Sequence, residues 1–492
     1  MPLHRLIRRA LCAGVVVALC TAAAGAQQPQ DPRTLTLQEA IALAQRSGLQ
    51  AGAARSTRDA ARSRDQLFYT QYLPTLSIGG AVPTYNRSIQ GVTQPDGSTK
   101  YIPVQQTTGF LTANVVQRLP WTNTTFNFSS SLSQVQVSGA TGFKTWSSTP
   151  FQVGITQPIF RANSQLWDRA QEDLRTTSAE RHYLEAREDV AIAVTNAFFD
   201  LNTAAVTLKN LEFNVATNDT LYTLNKGRFE VGKIGENDLL QSELALLRAR
   251  SARDDGKVTY DRALSSFRLA LNLPQGTPVA IAASTVVPSF DADTAVAVQQ
   301  ARRNASAMSD AELSEVSANR AVSEARWNAG AGGTLSASYG YNATASRAPD
   351  VYKNLLDAQQ LQLQVSLPVF QWGAHAAQVQ AATADREAAK NNATVARQQL
   401  EQAAYFAALG LGQARRSLAL AAKADTVAAK RFDVAYNRYG VSKILIDNLF
   451  IAQQEKDQAL AAFVQAQRAY WIAYFQLRRT TLYDFEAGSP IR

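Results

Sequence analysis

The chain contains very little sulfur. Its 492 residues include 2 cysteines and 2 methionines. Both cysteines, Cys12 and Cys20, lie close to the amino terminus, so the rest of the chain has to fold without disulfides. The same scarcity excludes a relay of cysteine and methionine ligands for soft metal ions.

Residue patterns of catalytic and metal sites are also absent. The sequence has 3 histidines, and the two beyond the amino-terminal segment, His182 and His375, have no cysteine, histidine or paired acid at ligand spacing. It has no nucleophile elbow, zinc-protease motif or phosphate loop. The glycine-rich segment 330–333 leads into a strand pattern, which favours a backbone bend over a phosphate cradle. We therefore expect neither an enzyme nor a bound cofactor.

Neither sign of charge dominates the chain. It has 49 Lys and Arg residues against 40 Asp and Glu residues, a formal net charge of +9. Beyond the amino-terminal segment the basic residues form no block longer than a doublet such as Arg302-Arg303. This distribution predicts no nucleic-acid partner.

Long hydrophobic runs are missing as well. Beyond the first 26 residues, no segment offers the roughly 18 uninterrupted apolar residues of a transmembrane helix. A secreted protein, a periplasmic protein and a β-barrel of the outer membrane remain.

The first 26 residues have the pattern of a secretory signal peptide. Three arginines precede an apolar run, and small residues then allow cleavage after Ala26. The paired arginines leave twin-arginine export as an alternative. Lipid attachment at Cys20 is another alternative, although the preceding Leu19 is bulkier than lipoprotein processing prefers. We expect plain cleavage after Ala26.

The sequence contains one internal repeat. In a single ungapped register, the segment 228–234 aligns with 438–444, and the segment 157–160 aligns with 367–370. Such duplication indicates two copies of one structural unit. We divide the chain into a signal peptide (1–26), a first structural repeat (27–272), a linker (273–292) and a second structural repeat (293–492).

The hydrophobic period changes within each repeat. Alternation with a period of two predicts strands over 151–155, 335–341 and 361–369. The segments 163–224 and 374–437 contain no proline and consist largely of good helix formers, so they predict two very long helices. Their apolar residues are mostly alanine, which buries too little area in an isolated hairpin. We therefore expect the helices to pack against other chains.

The first repeat carries an insertion over about 93–142. It contains strand-like runs at 109–117 and 124–136. Two additional strands would return the chain to the same end of a barrel, so they can join the wall or stand above it as an extracellular loop. Apolar residues such as Val115 and Phe126 favour the wall, because a loop would expose them to water.

These features together resemble the TolC-like outer membrane factor family. The segment 35–44 resembles the first helix of that family, and the segment 73–76 resembles its entry into the first strand. The segment 157–160 resembles the return from the barrel, and 231–240 and 441–450 resemble the two helix-hairpin tips. Their order, spacing and duplication extend over nearly the whole chain.

The resemblance implies an α+β membrane protein. Three copies would form an outer-membrane β-barrel with four or more strands per protomer, twelve in all for four, continued by a long α-helical coiled-coil tunnel in the periplasm. A closed barrel has no unpaired edge in lipid, and a helix satisfies its own backbone. Aromatic residues near the strand ends suit interfacial belts, or else packing where strand meets helix; they are Tyr69, Tyr72, Tyr85, Phe160, Trp327, Phe370 and Trp372.

The resemblance also implies a function and a location. The chain would be the passive exit duct of a tripartite efflux or type I secretion system in a Gram-negative-type outer membrane. Its partners would be two further copies, a periplasmic adaptor protein, an inner-membrane pump of the RND or ABC type, and outer-membrane lipid. Small-molecule efflux is the leading interpretation, with protein secretion and metal-ion efflux as alternatives. A coiled-coil structural protein without a channel is an alternative of another class.

At the tips, the resemblance implies a polar gate. The acidic partner of the first tip falls on Asp238 and the tyrosine of the second tip on Tyr439, which predicts a hydrogen bond between them. An alternative role for Asp238 is to complement the dipole of the helix that starts there. The expected tip glycine is Ser442 in this sequence, and the expected base is Ile444, with Lys443 beside it.

A second acidic residue is displaced in the same way. The position expected to be acidic is Asn448, and Asp447 precedes it. The inner electronegative ring is therefore weaker or shifted. The predicted gate and adaptor-docking residues are Asp238, Tyr439, Lys443, Asp447, Asn448, Val231, Gly232 and Val441.

Overall fold

The computed structural model describes residues 33–93, 95–138, 142–282, 287–288, 290–441 and 443–492. The predicted signal peptide (1–26), its cleavage site at Ala26 and the tip residue Ser442 lie outside the described residues.

Two helices are far longer than the others among the described residues. In chain order, the helices are α1 (Leu37–Ser47), α2 (Leu49–Thr70), α3 (Ser164–Glu230), α4 (Glu236–Ala270), α5 (Thr294–Asn304), α6 (Ser306–Asn328), α7 (Ala374–Gly440) and α8 (Ile446–Thr481). Both α3 and α7 contain 67 residues, about 100 Å of helix. The long helices predicted from the absence of proline are confirmed.

The described strands form one large sheet and two small ones. In chain order, the strands are β1 (Arg33–Thr36), β2 (Thr75–Thr93), β3 (Thr99–Leu119), β4 (Thr124–Ser138), β5 (Phe143–Ile159), β6 (Val279–Ala282), β7 (Gly332–Ala345), β8 (Leu356–Ser366), β9 (Tyr483–Asp484) and β10 (Ser489–Pro490). A short 3₁₀ helix, η1 (Ala348–Tyr352), connects β7 and β8. The predicted strands are confirmed, except that β8 ends before Leu367 and Val369.

The large sheet has six antiparallel strands in the order β2-β3-β4-β5-β7-β8. The inserted strands β3 and β4 pair with their neighbours along most of their length. Six strands agree with the expectation of four or more strands per protomer. Two strands from the insertion have joined the sheet.

The order of elements is similar in the two halves of the chain. Each half has two shorter helices, sheet strands, one long helix and one returning helix. The shorter helices α1, α2 and α4 lie along α3, and α5, α6 and α8 lie along α7. The short strands β1 and β6 pair in parallel and join the start of the chain to the linker. The exact repeat boundaries remain a prediction.

The main hydrophobic core lies around the middle of α3. Phe198 and Phe267 are fully buried there, with ring centroids 6.0 Å apart. Beside this core, Arg478 at the end of α8 binds the carboxylate of Glu188 on α3 through two nitrogens, at 3.1 and 3.3 Å. The Glu188 side chain is only 3% exposed. This ion pair fixes the returning helix of the second half to the long helix of the first.

One described helix is apolar and long enough, by composition alone, to cross a membrane. It is α3, whose most apolar window has a mean hydropathy of 1.3, and half of that window is buried inside the protein. The core helix of a soluble region has the same property. The packing of α3 against α1, α4, α6 and α8 accounts for its apolar residues.

Candidate functional site

One face of the six-stranded sheet is apolar. The register places a row of apolar side chains across neighbouring strands: Leu76, Val115, Phe128, Val153 and Tyr339. Many side chains on this face are exposed, and Leu361 on β8 has 77% of its surface accessible. An apolar surface of this kind needs lipid or protein to cover it.

The opposite face is polar. One row of paired residues across this face consists of Ser77, Asn114, Ser129, Gln152 and Gly340. The inserted strands have the same alternation as the others. One apolar and one polar face are typical of a barrel wall between lipid and water. The inserted strands are thus part of the same two-faced sheet as their neighbours.

Aromatic residues surround the base of the sheet. Trp327, Phe370 and Trp372 are exposed there, and Trp372 has 90% of its surface accessible. The rings of Phe370 and Trp372 pack edge to face, with centroids 4.2 Å apart. Trp121, in the turn between β3 and β4, is also exposed, with 65% of its surface accessible, and was not identified from the sequence. Such residues suit the membrane interface.

Tyr69 and Tyr72 have a different role from the exposed aromatic residues. Phe68 packs edge to face against both rings, at 5.4 Å. The hydroxyl of Tyr69 donates a 2.5 Å hydrogen bond to Asp173 on α3, and this bond raises the pKa of Tyr69 to about 12. These two tyrosines therefore join α2 to the base of the sheet and to α3.

The turn of the inserted hairpin is anchored to the helices. Asn163 donates hydrogen bonds through Nδ2 to the carbonyls of Pro120 and Trp121, at 3.0 and 3.1 Å. Its Oδ1 caps α3 by accepting bonds from two backbone N–H groups of the first turn. On the other side, Gln117 donates to the Tyr72 carbonyl at 2.6 Å. One asparagine thus starts the long helix and holds the hairpin.

At the opposite end of the long helices, two short turns form the tips. The α3–α4 turn and the α7–α8 turn close with equivalent backbone bonds, from Lys233 to Arg228 at 2.8 Å and from Lys443 to Arg438 at 2.9 Å. Gly232 has a φ of +70°, which a glycine adopts without strain. The repeated tip motifs therefore have the same local backbone pattern.

The predicted hydrogen bond between Tyr439 and Asp238 is wrong for the protomer. The Tyr439 hydroxyl donates to Oδ1 of Asn225 on α3 at 2.8 Å. The hydroxyl has a single proton, and the ring is buried among Leu221, Phe432 and other apolar residues of α7 and α8. Within the described part of the chain, the Asp238 side chain has no hydrogen-bond or ion-pair partner. It lies in the first turn of α4, where a negative charge complements the helix dipole.

Arg228 forms the second contact between the tips. Its guanidinium donates to the Gly440 carbonyl at 3.1 Å and lies 5.2 Å from the centroid of the Tyr439 ring. A cation beside the last carbonyls of α7 interacts favourably with that helix dipole. Arg228 occurs in the repeated segment 228–234, but no local pattern in the sequence indicates its contact with the second tip.

The other predicted tip residues are distributed over the surface. Asp447 accepts a 2.7 Å hydrogen bond from Gln241 on α4, so it also joins the two hairpins. The side chains of Val231, Val441 and Asn448 are exposed, as is Lys443. They do not take part in the buried Tyr439–Asn225 contact.

A groove of about 630 Å³ runs upward from the tips between α4 and α8, over the surface of α3. Its walls include Leu244 and Ala245 on α4 and Phe450 on α8. Asn214 of α3 donates to Asp457 of α8 at 2.9 Å at its floor. The row of asparagines on α3 that contains Asn214 and Asn225 is the signal that could have identified the polar contact between the hairpins.

Among the described residues, no group of three or more His, Cys, Asp or Glu side chains could hold a metal ion. At the tips, Tyr439, Arg228 and Asp447 form hydrogen bonds between helices. These contacts join the α3–α4 hairpin to the α7–α8 hairpin at the end of the long helices opposite the six-stranded sheet.

Comparison with known proteins gives the same picture. Residues 37–273 match the family model of the outer membrane efflux protein. The fold is similar to the Campylobacter jejuni CmeC outer membrane channel, with a TM-score of 0.65 and 14% identity over 93% of this chain and 87% of that one. It is similar to the outer membrane protein VceC of Vibrio cholerae, with a TM-score of 0.64 and 12% identity over 93% of this chain and 97% of that one. It is also similar to the open state of the Neisseria gonorrhoeae MtrE outer membrane channel. The TM-score is 0.60 and the identity is 15%, over 90% of this chain and 88% of that one. A search of curated proteins gave no significant match.

A sheet with one apolar and one polar face, continued by long α-helices, is the architecture of the α+β outer membrane channels to which this fold is similar. Residues 37–273 match the outer membrane efflux protein family, and the fold is similar to that of outer membrane channels. The resemblance inferred from the sequence is confirmed, as are the outer-membrane location and the periplasmic extension.

Proposed function

We propose that three copies of this chain form a continuous exit duct, with a β-barrel in the outer membrane and a helical tunnel in the periplasm. The duct is a passive conduit without catalytic chemistry. A periplasmic adaptor and an inner-membrane pump of the RND or ABC type deliver its passengers.

The observation that carries this proposal is a sheet that cannot close alone. In the described part of the chain, no strand pairs with the free edge of β2 or of β8. Unpaired edges are costly in lipid, and membrane barrels need about eight strands or more. Six strands therefore require other copies, with β8 of one copy beside β2 of the next.

The helices support the same assembly. Exposed apolar side chains remain along α7, for example Phe406, Leu420 and Val434, and Leu67 is exposed on α2. The order α2-α3-α6-α7 leaves α2 and α7 at the two sides of the protomer. In a closed ring, α7 of one copy covers α2 of the next.

The tips provide the gate. The Tyr439–Asn225 hydrogen bond and the Arg228 contacts hold the end of α7 against α3. Three such contacts around a ring keep the periplasmic entrance narrow, and separating α7 and α8 from α3 and α4 opens it. This assignment replaces the pair of Asp238 and Tyr439 with the pair of Asn225 and Tyr439.

The groove between α4 and α8 suits a helical partner. It presents apolar residues on both walls, and an amphipathic helix can lay its apolar face in such a groove. Val231 and Val441 extend this apolar surface to the tips, where both are exposed. We assign this surface to the adaptor.

A matched pair of arginine substitutions tests the membrane assignment. Ile155 lies on the apolar face of β5, and its neighbour Thr156 lies on the polar face. Ile155→Arg places a charge on the lipid-facing side of the proposed wall, at a cost of up to about 2–4 kcal/mol that falls toward the membrane interfaces, whereas Thr156→Arg faces water. The first variant is expected to lose outer-membrane yield, and the second to keep it. Equal yields would contradict the barrel.

A second measurement tests the assembly. Light scattering of the detergent-extracted protein is expected to give three copies per particle, and planar bilayers are expected to give discrete conductance steps. A stable monomer without conductance would favour a non-channel coiled-coil protein.

A further inference from the structure

The inserted hairpin changes the ratio of strands to helices. Strands β2, β5, β7 and β8 continue directly into helices α2, α3, α6 and α7. The inserted strands β3 and β4 are joined to each other by the turn 120–123 and lead to no helix. Each protomer therefore contributes six strands to the wall and four helices to the tunnel beneath it.

This ratio determines the width of the barrel in the proposed trimer. Three six-stranded sheets give eighteen strands, and strands about 4.8 Å apart with a tilt of about 40° give a circumference of roughly 110 Å. Twelve strands would give only about 75 Å. Twelve helices spaced about 9 Å apart also give roughly 110 Å. The hairpin makes the barrel as wide as the tunnel.

The side chains on the polar face leave this space open. On the inserted strands they are mostly short and uncharged, for example Thr112, Asn114, Ser129 and Ser131. Phe110 is the one large apolar residue among them at mid-height. Nothing in these rows is long enough to fill a barrel of eighteen strands.

We infer that the inserted hairpin widens the exit so that the duct has no constriction at the outer membrane. The periplasmic tips then form the narrow point that a passenger meets, and the barrel admits solutes too wide for a twelve-stranded wall. This inference rests on the proposed trimer, and it assigns bulky passengers to the duct.

The anchoring of the turn fits this role. Asn163, at the start of α3, holds the turn of the hairpin, and Gln117 bonds to the connection between α2 and β2. A hairpin that formed only an extracellular loop would need no contact at the periplasmic end of the sheet.

Polymer exclusion measures the width without involving the gate. Polyethylene glycols of increasing size are added to the extracellular side of a planar bilayer, and the largest that still lowers the single-channel conductance is recorded. A variant without residues 99–138 removes both inserted strands and leaves β2 and β5 as neighbours. The limiting polymer radius is expected to fall by about 1.5-fold, because barrel diameter grows roughly with strand number.

A second deletion provides the control. The β2–β3 hairpin extends beyond the end of β4, which pairs only as far as Gln105. Deleting residues 91–101 shortens that extension and leaves the wall intact, so the limiting radius is expected not to change. An equal limiting radius for the intact chain and the variant without 99–138 would overturn the inference, although trimer and conductance would still support the proposed function. Loss of trimer and conductance in the intact chain would overturn both.

Labelling keeps the inference testable if the larger deletion does not fold. Thr112 and Leu111 are neighbours on β3 that face opposite sides of the sheet. In a wall, Thr112→Cys reacts with a water-soluble maleimide and Leu111→Cys is protected by lipid. Equal reaction of both would place the hairpin outside the wall and contradict the widened barrel.

Discussion

The Tyr439 hydroxyl at the end of α7 donates a 2.8 Å hydrogen bond to Oδ1 of Asn225 on α3. Asn225 is fully buried and Tyr439 is 6% exposed, so water is excluded from the bond. Because an unpaired buried acceptor costs about 1–3 kcal/mol, this bond favours the closed arrangement of the two hairpins.

The first prediction concerns this bond. Tyr439→Phe leaves Asn225 Oδ1 without its donor, so the tips are expected to separate more readily and the single-channel conductance to rise. Tyr436→Phe is the matched control, since the Tyr436 hydroxyl has no hydrogen-bond partner within the described residues. Asp238→Ala is expected to leave conductance unchanged. If Asp238→Ala opened the channel and Tyr439→Phe did not, the gate assignment would be wrong.

The second prediction concerns Asn163. Asn163→Ala removes both the cap of α3 and the bonds to the inserted turn, and is expected to lower stability by about 1–2 kcal/mol. Asn163→Asp keeps the cap but loses the donation to Pro120 and Trp121. It is expected to keep most of the thermal stability while hydrogen exchange in the turn 120–123 becomes faster. Unchanged exchange in both variants would contradict the anchoring role.

The third prediction compares a buried and an exposed ion pair on α8. Arg478→Met leaves the Glu188 carboxylate, 3% exposed, without its partner, at an expected cost of about 3–5 kcal/mol. Arg479→Met breaks the pair with Asp189, in which both side chains are about half exposed, and is expected to cost less than about 1 kcal/mol. Urea unfolding followed by circular dichroism measures both. Similar costs would show that burial does not determine the strength of these pairs.

The fourth prediction concerns acid stability. Burial acts to raise the pKa of Asp484, but hydrogen bonds from the Ala487 and Glu486 backbone and from Arg478 outweigh it and hold that pKa below its usual value. A carboxylate with a lowered pKa stabilises the folded state above its unfolded pKa of about 3.9, and this contribution disappears as the pH falls through the folded value.

The matched variant for this effect is Asp484→Asn, which cannot titrate. The difference in melting temperature between the wild-type protein and this variant is expected to be constant near neutral pH and to shrink below about pH 4. A difference in melting temperature that grows as the pH falls would contradict a lowered pKa for Asp484.

The sequence was sufficient for the helices and strands because their patterns are local. The absence of proline from 374 to 437 predicted α7, and the alternation around Leu361 and Leu363 predicted β8. The alternation in the insertion was equally visible, but its membership of the sheet depends on pairing with β2 and β5. That pairing is a long-range property that no local pattern contains.

The tip contacts were harder to predict for a related reason. Tyr439 was correctly placed at a tip, but which side of α7 it occupies is determined by packing against Leu221 and Phe432. Asn225 lies inside a 67-residue helix and resembles any other polar helical residue in the sequence. Only the folded arrangement brings the two side chains together.

A three-dimensional reconstruction of the detergent-extracted assembly by electron cryomicroscopy tests the central claim most directly. The account predicts three copies around one continuous lumen, eighteen strands in the wall, and β8 of each copy paired with β2 of the next. A monomer, or an assembly whose sheets enclose no common lumen, would contradict it.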